Sequence, residues 1–293
     1  MHGYFRPSLG GTGQVGFELQ RSLSVLGKIS APVRNELDLG SSIAVEAYIN
    51  KFRPDLIVNA AAWTAVDAAE ENQSGCRRLN AELPEQLARY AVANNVQLIH
   101  YSSDYVYPGD GVEPWLESSI TGPLSVYGQT KLAGDLAIQN SGAKYLIFRT
   151  SWVYSARGNN FMKTMLRLAQ SKTELNVVAD QIGSPTPARL IAALTTLAVY
   201  KNIESGIYHL CPRGETSWHG FAQAIFTAAK QAGKELTMVP ENTHTIATSD
   251  YPTPAKRPLN SRLAITKLEQ ALEIQLPDWQ SQLVLTLNEY LEK

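Results

Sequence analysis

The sequence predicts an α/β fold, a parallel sheet covered by helices on both faces, with a smaller lobe toward the C-terminus. Three observations carry this. Apolar runs of strand length alternate with longer segments of helical period as far as about Thr150, the pattern of repeated βαβ units. A glycine-rich turn stands at the mouth of the first helical segment. Past Thr150 the alternation loosens into helices separated by short apolar pieces.

In chain order, the helical period covers Gln14 to Leu26, Ile43 to Lys51, Pro84 to Asn94 and Tyr127 to Asn140. Leu56–Asn59, Gln97–Tyr101 and Tyr145–Phe148 are short and continuously apolar, as strands buried on both faces must be. Leu175–Val178 is a further strand candidate. Helices follow at Asn160 to Gln170, Arg189 to Lys201, Trp218 to Ala232, Arg262 to Glu273 and Trp279 to Leu291. Among them lie the apolar piece Ile207–Leu210 and the proline-rich loop Tyr251–Pro258. Residues 1–150 are therefore expected to form a dinucleotide-binding domain whose sheet elements continue to about residue 180. Residues 151–293 are expected to form mainly a substrate-binding lobe, interleaved with the first domain.

Composition narrows the function. Of 293 residues, 44% are hydrophobic and 18% charged, which is ordinary for a globular protein. A formal net charge of -1 argues against a nucleic-acid partner, since phosphate backbones are bound by a concentrated positive field. Cys76 and Cys211 form no CxxC pair, and the histidines have no ligand-like spacing, so two reduced thiols and no metal site are expected. No apolar stretch has the length of a membrane span, and the first residues lack the apolar core of a signal peptide. A cytoplasmic protein without membrane contact is expected.

Gly10-Gly11-Thr12-Gly13-Gln14-Val15-Gly16 is a GxxGxxG turn at the start of a helix. Glycines permit the tight turn, and the helix N-terminus offers free N–H groups to a pyrophosphate. With the alternating elements, this makes the sheet a Rossmann-type, doubly wound one. The segment in front of the turn is anomalous: Arg6-Pro7-Ser8 stands where a central apolar strand should run. Proline lacks the ladder N–H and is normally excluded there. Either the strand is confined to Gly3-Tyr4-Phe5 or the N-terminus is altered, with a weakened first strand and looser cofactor binding. Further on, Ile29–Arg34 reads as a second strand. Its end carries Arg34 and no carboxylate, which favours the 2′-phosphate of NADP over NAD. NADPH is the expected cofactor, with NADH left open; Asp38 and Leu39 are expected on the adenosine side.

The chemistry is carried by Tyr127-Gly128-Gln129-Thr130-Lys131, which sets a Tyr and a Lys on one face of a helix. Ser103 follows directly on an apolar run, at the carboxyl end of a parallel strand, where such sheets bind ligands. A phenol is a poor proton donor at neutral pH. A neighbouring ammonium favours the phenolate and brings its pKa down. Ser103 would hold a carbonyl oxygen, Tyr127 would protonate it, and Lys131 would tune the phenol and grip the nicotinamide ribose. By residue pattern alone this is a nicotinamide-dependent oxidoreductase.

With these motifs, and with RPDLIVNAAAWTAVDAAE (Arg53 to Glu70), YSSDYVYPGDG (Tyr101 to Gly111), PLSVYGQTKLAGD, FRTSWVYSARGNNF, DQIGSPT and YPTPAKRPLNSRL, the chain resembles the extended short-chain dehydrogenase/reductases. Within them it is similar to the dTDP-4-dehydrorhamnose reductases over nearly its whole length. The resemblance implies Ser103, Tyr127 and Lys131 as catalytic residues. Gly13, Gln14 and Val15 would form the pyrophosphate turn, with Ala62, Trp63, Thr64 and Tyr101 lining the cofactor. Asp104 and Trp152 would touch the sugar nucleotide, and Arg257 would meet the substrate diphosphate. It implies NADPH-dependent reduction of the C4 ketone of a dTDP-linked deoxysugar, dTDP-4-dehydro-L-rhamnose. Some members dimerise through magnesium held by acidic side chains. Here Arg189 stands in the corresponding region, so a monomer or weak homodimer is expected.

Two other readings stay open at this stage. One is a reductase, epimerase or dehydratase of another nucleotide sugar, for which Asp104 beside Ser103 would serve as acid or base. The other is a non-catalytic, NADP-binding regulatory subunit of methionine adenosyltransferase. Trp63 and Trp152 can also be packing residues, Arg34 and Arg257 solvated ones, and Asp67, Glu70 and Glu71 a polar helix face. His100, inside an apolar strand, reads as a satisfied core histidine.

Overall fold

The computed structural model describes residues 5–292. The first half of the chain runs β1 (Phe5–Leu9), α1 (Gln14–Leu23), β2 (Lys28–Ser30), α2 (Ser42–Phe52), β3 (Leu56–Asn59), α3 (Val66–Glu71), α4 (Gln73–Arg77), α5 (Leu83–Asn94), β4 (Gln97–Ser103), α6 (Val126–Gln139) and β5 (Tyr145–Thr150). It continues through β6 (Val153–Tyr154), α7 (Phe161–Ala169), β7 (Leu175–Val178), β8 (Ile182–Gly183), β9 (Thr186–Pro187), α8 (Ala188–Lys201) and β10 (Gly206–His209). Last come β11 (Thr216–Ser217), α9 (Trp218–Gln231), β12 (Thr243–Ile246), β13 (Asn260–Ser261), α10 (Thr266–Leu272) and α11 (Trp279–Leu291).

The main sheet has the order β10-β5-β4-β3-β1-β2, every neighbouring pair parallel. Strand order reverses between β1 and β3, and the crevice over their carboxyl ends is where such sheets take ligands. Strand alternation sorts side chains into two cores. Leu56, Val58, Ile99, Leu146 and Phe148 face α1, α8 and α10. Ile57, Leu98 and Ile147 face α2, α5 and α6. A third core joins α7, α9 and α11 around Met162, Phe221, Phe226 and Leu283. The sheet thus extends past residue 180, where it was expected to stop: β10 is its edge strand, and α8 and α10 pack on its face.

Caps explain the helix starts. Ser41, Ser125, Asn160, Ser217 and Asp278 each accept an amide hydrogen from the first turn of α2, α6, α7, α9 and α11. The expected helix from Arg262 begins only at Thr266, because Asn260–Ser261 pairs with β8 and Leu263 bridges to Trp115. The helical run from Gln73 to Asn94, expected only from Pro84, includes a π-helical stretch at Arg78–Glu82. Proline removes one i→i−4 bond and crowds the preceding turn, and the wider turn directly before Pro84 absorbs this.

The expectation of a strand ending at Phe5 is corrected: β1 runs through Pro7 to Leu9. Gly3 and Tyr4 lie outside the described residues. Phe5, Arg6 and Pro7 are in register with Lys28, Ile29 and Ser30 of β2, and Ser8 and Leu9 with Val58 and Asn59 of β3. Pro7 therefore stands where the strand changes partners, a point at which a missing N–H interrupts neither ladder midway. Among the described residues, no helix is long and apolar enough to cross a membrane.

Phe148 is fully buried between β5 and the α8–α10 face. Phe148→Ala is expected to lower unfolding free energy by about 3–5 kcal/mol, read as a lower midpoint in urea with an unchanged slope.

Candidate active site

The glycine turn leaves β1 and enters α1. Gly10 has φ +83°, and a Cβ there would lie 2.8 Å from the Ala61 amide nitrogen. A Cβ on Gly16 would come to 2.1 Å from the Gly10 carbonyl oxygen, so helix and turn can approach only without side chains. Gly13, the residue before α1, donates its amide to Gly10 O at 2.9 Å. Among the described residues no side chain caps α1, and its first turn carries no acid. Its N-terminal amides are thus free for an anion, and the residues present fit a dinucleotide pyrophosphate. Gln14 is held from the other side: its Oε1 accepts from Ser155 Oγ at 3.1 Å and from Asn160 Nδ2 at 2.9 Å. Val15 packs against the α8 core.

The remaining cofactor candidates fall around this turn. Arg34 is exposed in the loop after β2; Asp38 turns its carboxylate onto the Gly40 amide at 2.9 Å, and Leu39 is half-buried. Ala62, Trp63 and Thr64 follow β3, and Asn80 clamps both backbone groups of Trp63, at 2.9 and 3.1 Å. Tyr101 presents its backbone rather than its ring to this side. Its phenol lies in the core 2.8 Å from Thr195 Oγ1, while its carbonyl oxygen accepts from Lys131 Nζ at 2.5 Å.

Ser103 ends β4; α6 brings Tyr127 beside it and Lys131 to the backbone of Tyr101, two residues earlier on the strand. Ser103 Oγ accepts the Tyr105 amide hydrogen at 3.2 Å and donates to Asp104 Oδ1 at 3.0 Å. The Tyr127 phenol lies close enough to Ser103 for the two hydroxyls to interact, and its ring meets Tyr105 edge-on at 5.4 Å. Burial pushes the phenol's pKa up; the Ser103 hydroxyl opposes this, and the nearby Asp104 adds to it. Desolvation is the largest influence on the phenol, and Lys131 is not among the groups that shift it in this structure. Lys131 is itself buried, which lowers it to about 8 despite Asp135 and Cys76. Asp104 is 2% exposed, and its Oδ2 has no hydrogen-bond partner among the described residues. Burial raises its carboxyl to about 6 against the hydroxyls of Ser261 and Ser103.

Trp152, just past β5, holds the left-handed conformation (φ 49°) and stacks on Trp218 with centroids 3.7 Å apart. A non-glycine residue in that region costs energy and clusters at functional sites. Arg257 reaches the rim: it donates to Asp67 Oδ2 at 2.7 Å and to Tyr105 Oη at 3.3 Å. Sequence reading missed Tyr105 and Asn80, and gave Asp67 no specific partner. It also missed the ion pair behind the site, where Arg149 Nε donates to Asp135 Oδ2 at 3.0 Å, both buried. Glu70 accepts the Val126 amide at 2.9 Å and so anchors the start of α6.

A doubly wound parallel sheet, an uncapped glycine turn at its switch point and a Ser–Tyr–Lys cluster at the end of β4 define a nicotinamide-dependent short-chain dehydrogenase/reductase. The family described as the RmlD substrate binding domain matches residues 8–292, and the chain belongs to it. A dTDP-4-dehydrorhamnose reductase of Shigella flexneri is 48% identical over 288 residues, 96% of each chain. The dTDP-4-dehydrorhamnose reductase of Bacillus anthracis, solved in complex with NADP, superposes with a TM-score of 0.90 at 31% identity, covering 98% of this chain and 99% of that one. The Clostridium acetobutylicum enzyme of the same name gives 0.91 at 32%, covering 99% and 100%.

Two outcomes test the electrostatics. Asp135→Ala strands a buried guanidinium and is expected to cost about 3–5 kcal/mol, measured by urea unfolding. For Asp104, the folded carboxyl keeps its proton to about 6 while the unfolded one releases it near 3.8. Stability therefore falls as pH rises between these values, by roughly 3 kcal/mol in all. Asp104→Asn removes that loss, so its melting temperature relative to wild type should rise from pH 4 to pH 7.

Proposed function

We propose that the protein reduces the C4 ketone of dTDP-4-dehydro-L-rhamnose with NADPH, giving dTDP-L-rhamnose. The observation that carries this is that α6 sets Tyr127 beside Ser103 and Lys131 on the Tyr101 backbone, both at the carboxyl end of β4. That cluster lies on the same sheet edge as the free N-terminus of α1. The names of the relatives give the sugar and the base. NADPH, when bound, supplies the hydride.

Gly10, Gly13, Gln14, Val15 and Gly16 would hold its pyrophosphate, and Arg34 its 2′-phosphate. Asp38 and Leu39 would lie on the adenosine side, with Ala62, Trp63, Thr64 and the Tyr101 backbone along the middle. The phenol of Tyr127 is kept protonated by burial, the state that reduction requires. Ser103 turns its hydrogen from Asp104 to the ketone oxygen and fixes it beside Tyr127. As the ketone carbon gains hydride, the oxygen takes the Tyr127 proton, leaving an alcohol and a phenolate. Lys131 would grip the nicotinamide ribose and, in its ammonium form, offset the phenolate's charge. Asp104 and Trp152 contact the sugar nucleotide, and Arg257 exchanges its Asp67 contact for the diphosphate. In this reading residues 1–150 are chiefly the cofactor half and 151–293 chiefly the substrate half. The enzyme acts in the cytoplasm as a monomer or weak homodimer, without nucleic acid.

The test is NADPH oxidation in the presence of dTDP-4-dehydro-L-rhamnose, followed by absorbance. Wild type should consume NADPH, and Tyr127→Phe should lose about 10²–10⁴-fold in kcat, the range of general-acid contributions. NADPH binding without oxidation would instead favour another sugar or a regulatory role.

A further inference from the structure

His100 has no exposed surface, and both of its ring nitrogens face a polar group. Asn59 Nδ2 lies 3.1 Å from Nδ1, and Lys131 Nζ lies 3.3 Å from Nε2. The Asn59 amide is oriented by its own oxygen, which accepts the Ala61 amide hydrogen at 3.3 Å, so the nitrogen end meets the ring. An amide nitrogen only donates; Nδ1 is therefore the acceptor, and a neutral ring carries its hydrogen on Nε2. The ring is neutral because burial, and then the charge of Lys131, hold its pKa well below the usual histidine range.

We infer that His100, fixed as the Nε2–H tautomer by Asn59, is a positioning residue for Lys131, donating to the lone pair of its amine and opposing its ammonium form. In the amine form of Lys131 the donors run one way: Asn59 amide to imidazole, imidazole to amine, amine to the Tyr101 carbonyl at 2.5 Å. With an ammonium at the same place, two N–H groups would meet head-on. Other groups face Lys131 as well. Asp135, on the same helix and paired with Arg149, and Cys76 of α4 both favour the ammonium, while burial opposes it most strongly. With Lys131 brought to about 8, a single oriented N–H decides how much of it is charged near neutral pH. The consequence for catalysis rests on the reductase reading: the pull of Lys131 on the Tyr127 phenol would vary between about pH 7 and 9 with that charge.

The test reads the tautomer and the titration directly, on the full chain and without substrate. In protein labelled with ¹⁵N-histidine, long-range ¹H–¹⁵N spectra should show His100 with hydrogen on Nε2 and unchanged from pH 5 to 9. Its signal is assigned by its loss in His100→Gln. In protein labelled at lysine ¹³Cε, Lys131 should titrate near 8 in wild type. His100→Leu, which removes the N–H, should raise its proton affinity about tenfold, one pKa unit. His100→Gln, whose amide restores a donor, should stay near wild type. A His100 ring with hydrogen on Nδ1, or a Lys131 that titrates alike in wild type and His100→Leu, overturns the inference. Should the leucine variant not fold, the wild-type tautomer decides alone. Since neither readout involves sugar reduction, failure here and failure of the proposed activity are separate results.

Discussion

A carboxylate and a guanidinium buried back to back behind the active site hold the machinery together. Asp135 lies one turn along α6 from Lys131 and two turns from Tyr127, and Arg149 lies on β5 beside Ser102 of β4. Joining them at 3.0 Å fixes the rotation and height of α6 against the strand that ends in Ser103. Removing two charges from water is costly, and the pair alone does not repay it. Further hydrogen bonds help on the arginine side: Arg149 Nη1 also donates to Tyr107 Oη at 2.8 Å, and that oxygen lies 2.6 Å from Nε2 of His209 on β10. The polar thread therefore crosses from α6 to the edge strand. Its role is to select one docking of α6, more than to add stability.

On the other side of α6 the same helix is held by local chemistry. Glu70 and Ser125 satisfy its first amides, and Asn80 links the Trp63 backbone to the Cys76–Thr130 contact beneath it. A π-helical turn that accommodates Pro84 thus also delivers Asn80 to the loop after β3. Backbone irregularity and site geometry share one cause.

Much of this was legible in the chain. Leu56–Asn59, Leu175–Val178 and Trp279–Leu291 are found with the bounds read from the sequence. The places of Ser103, Tyr127 and Lys131 in the fold were legible from pattern too: Tyr127 and Lys131 share one helix, and Ser103 follows an apolar run. The course of β1 was not. The rule against proline in central strands assumes that a strand keeps both neighbours along its length, whereas β1 exchanges one for the other at Pro7. The surroundings of His100 were equally hidden, since its partners lie 41 and 31 residues away on different elements. Nor does periodicity weigh desolvation against a neighbouring charge, and Tyr127 is decided by the former.

The stacked indoles of Trp152 and Trp218 join the end of β5 to the first turn of α9, that is, the sheet to the lobe. Gly183 lies against the Trp152 ring, where a Cβ would come to 3.0 Å and press on the indole, and Trp152 itself has a left-handed backbone. Two indoles at 3.7 Å and 13° share their excited states. The protein thus carries an internal optical gauge: any motion that slides the lobe over the sheet changes the coupled near-ultraviolet dichroism and the emission of that pair. Any such rearrangement can be followed without attaching a dye.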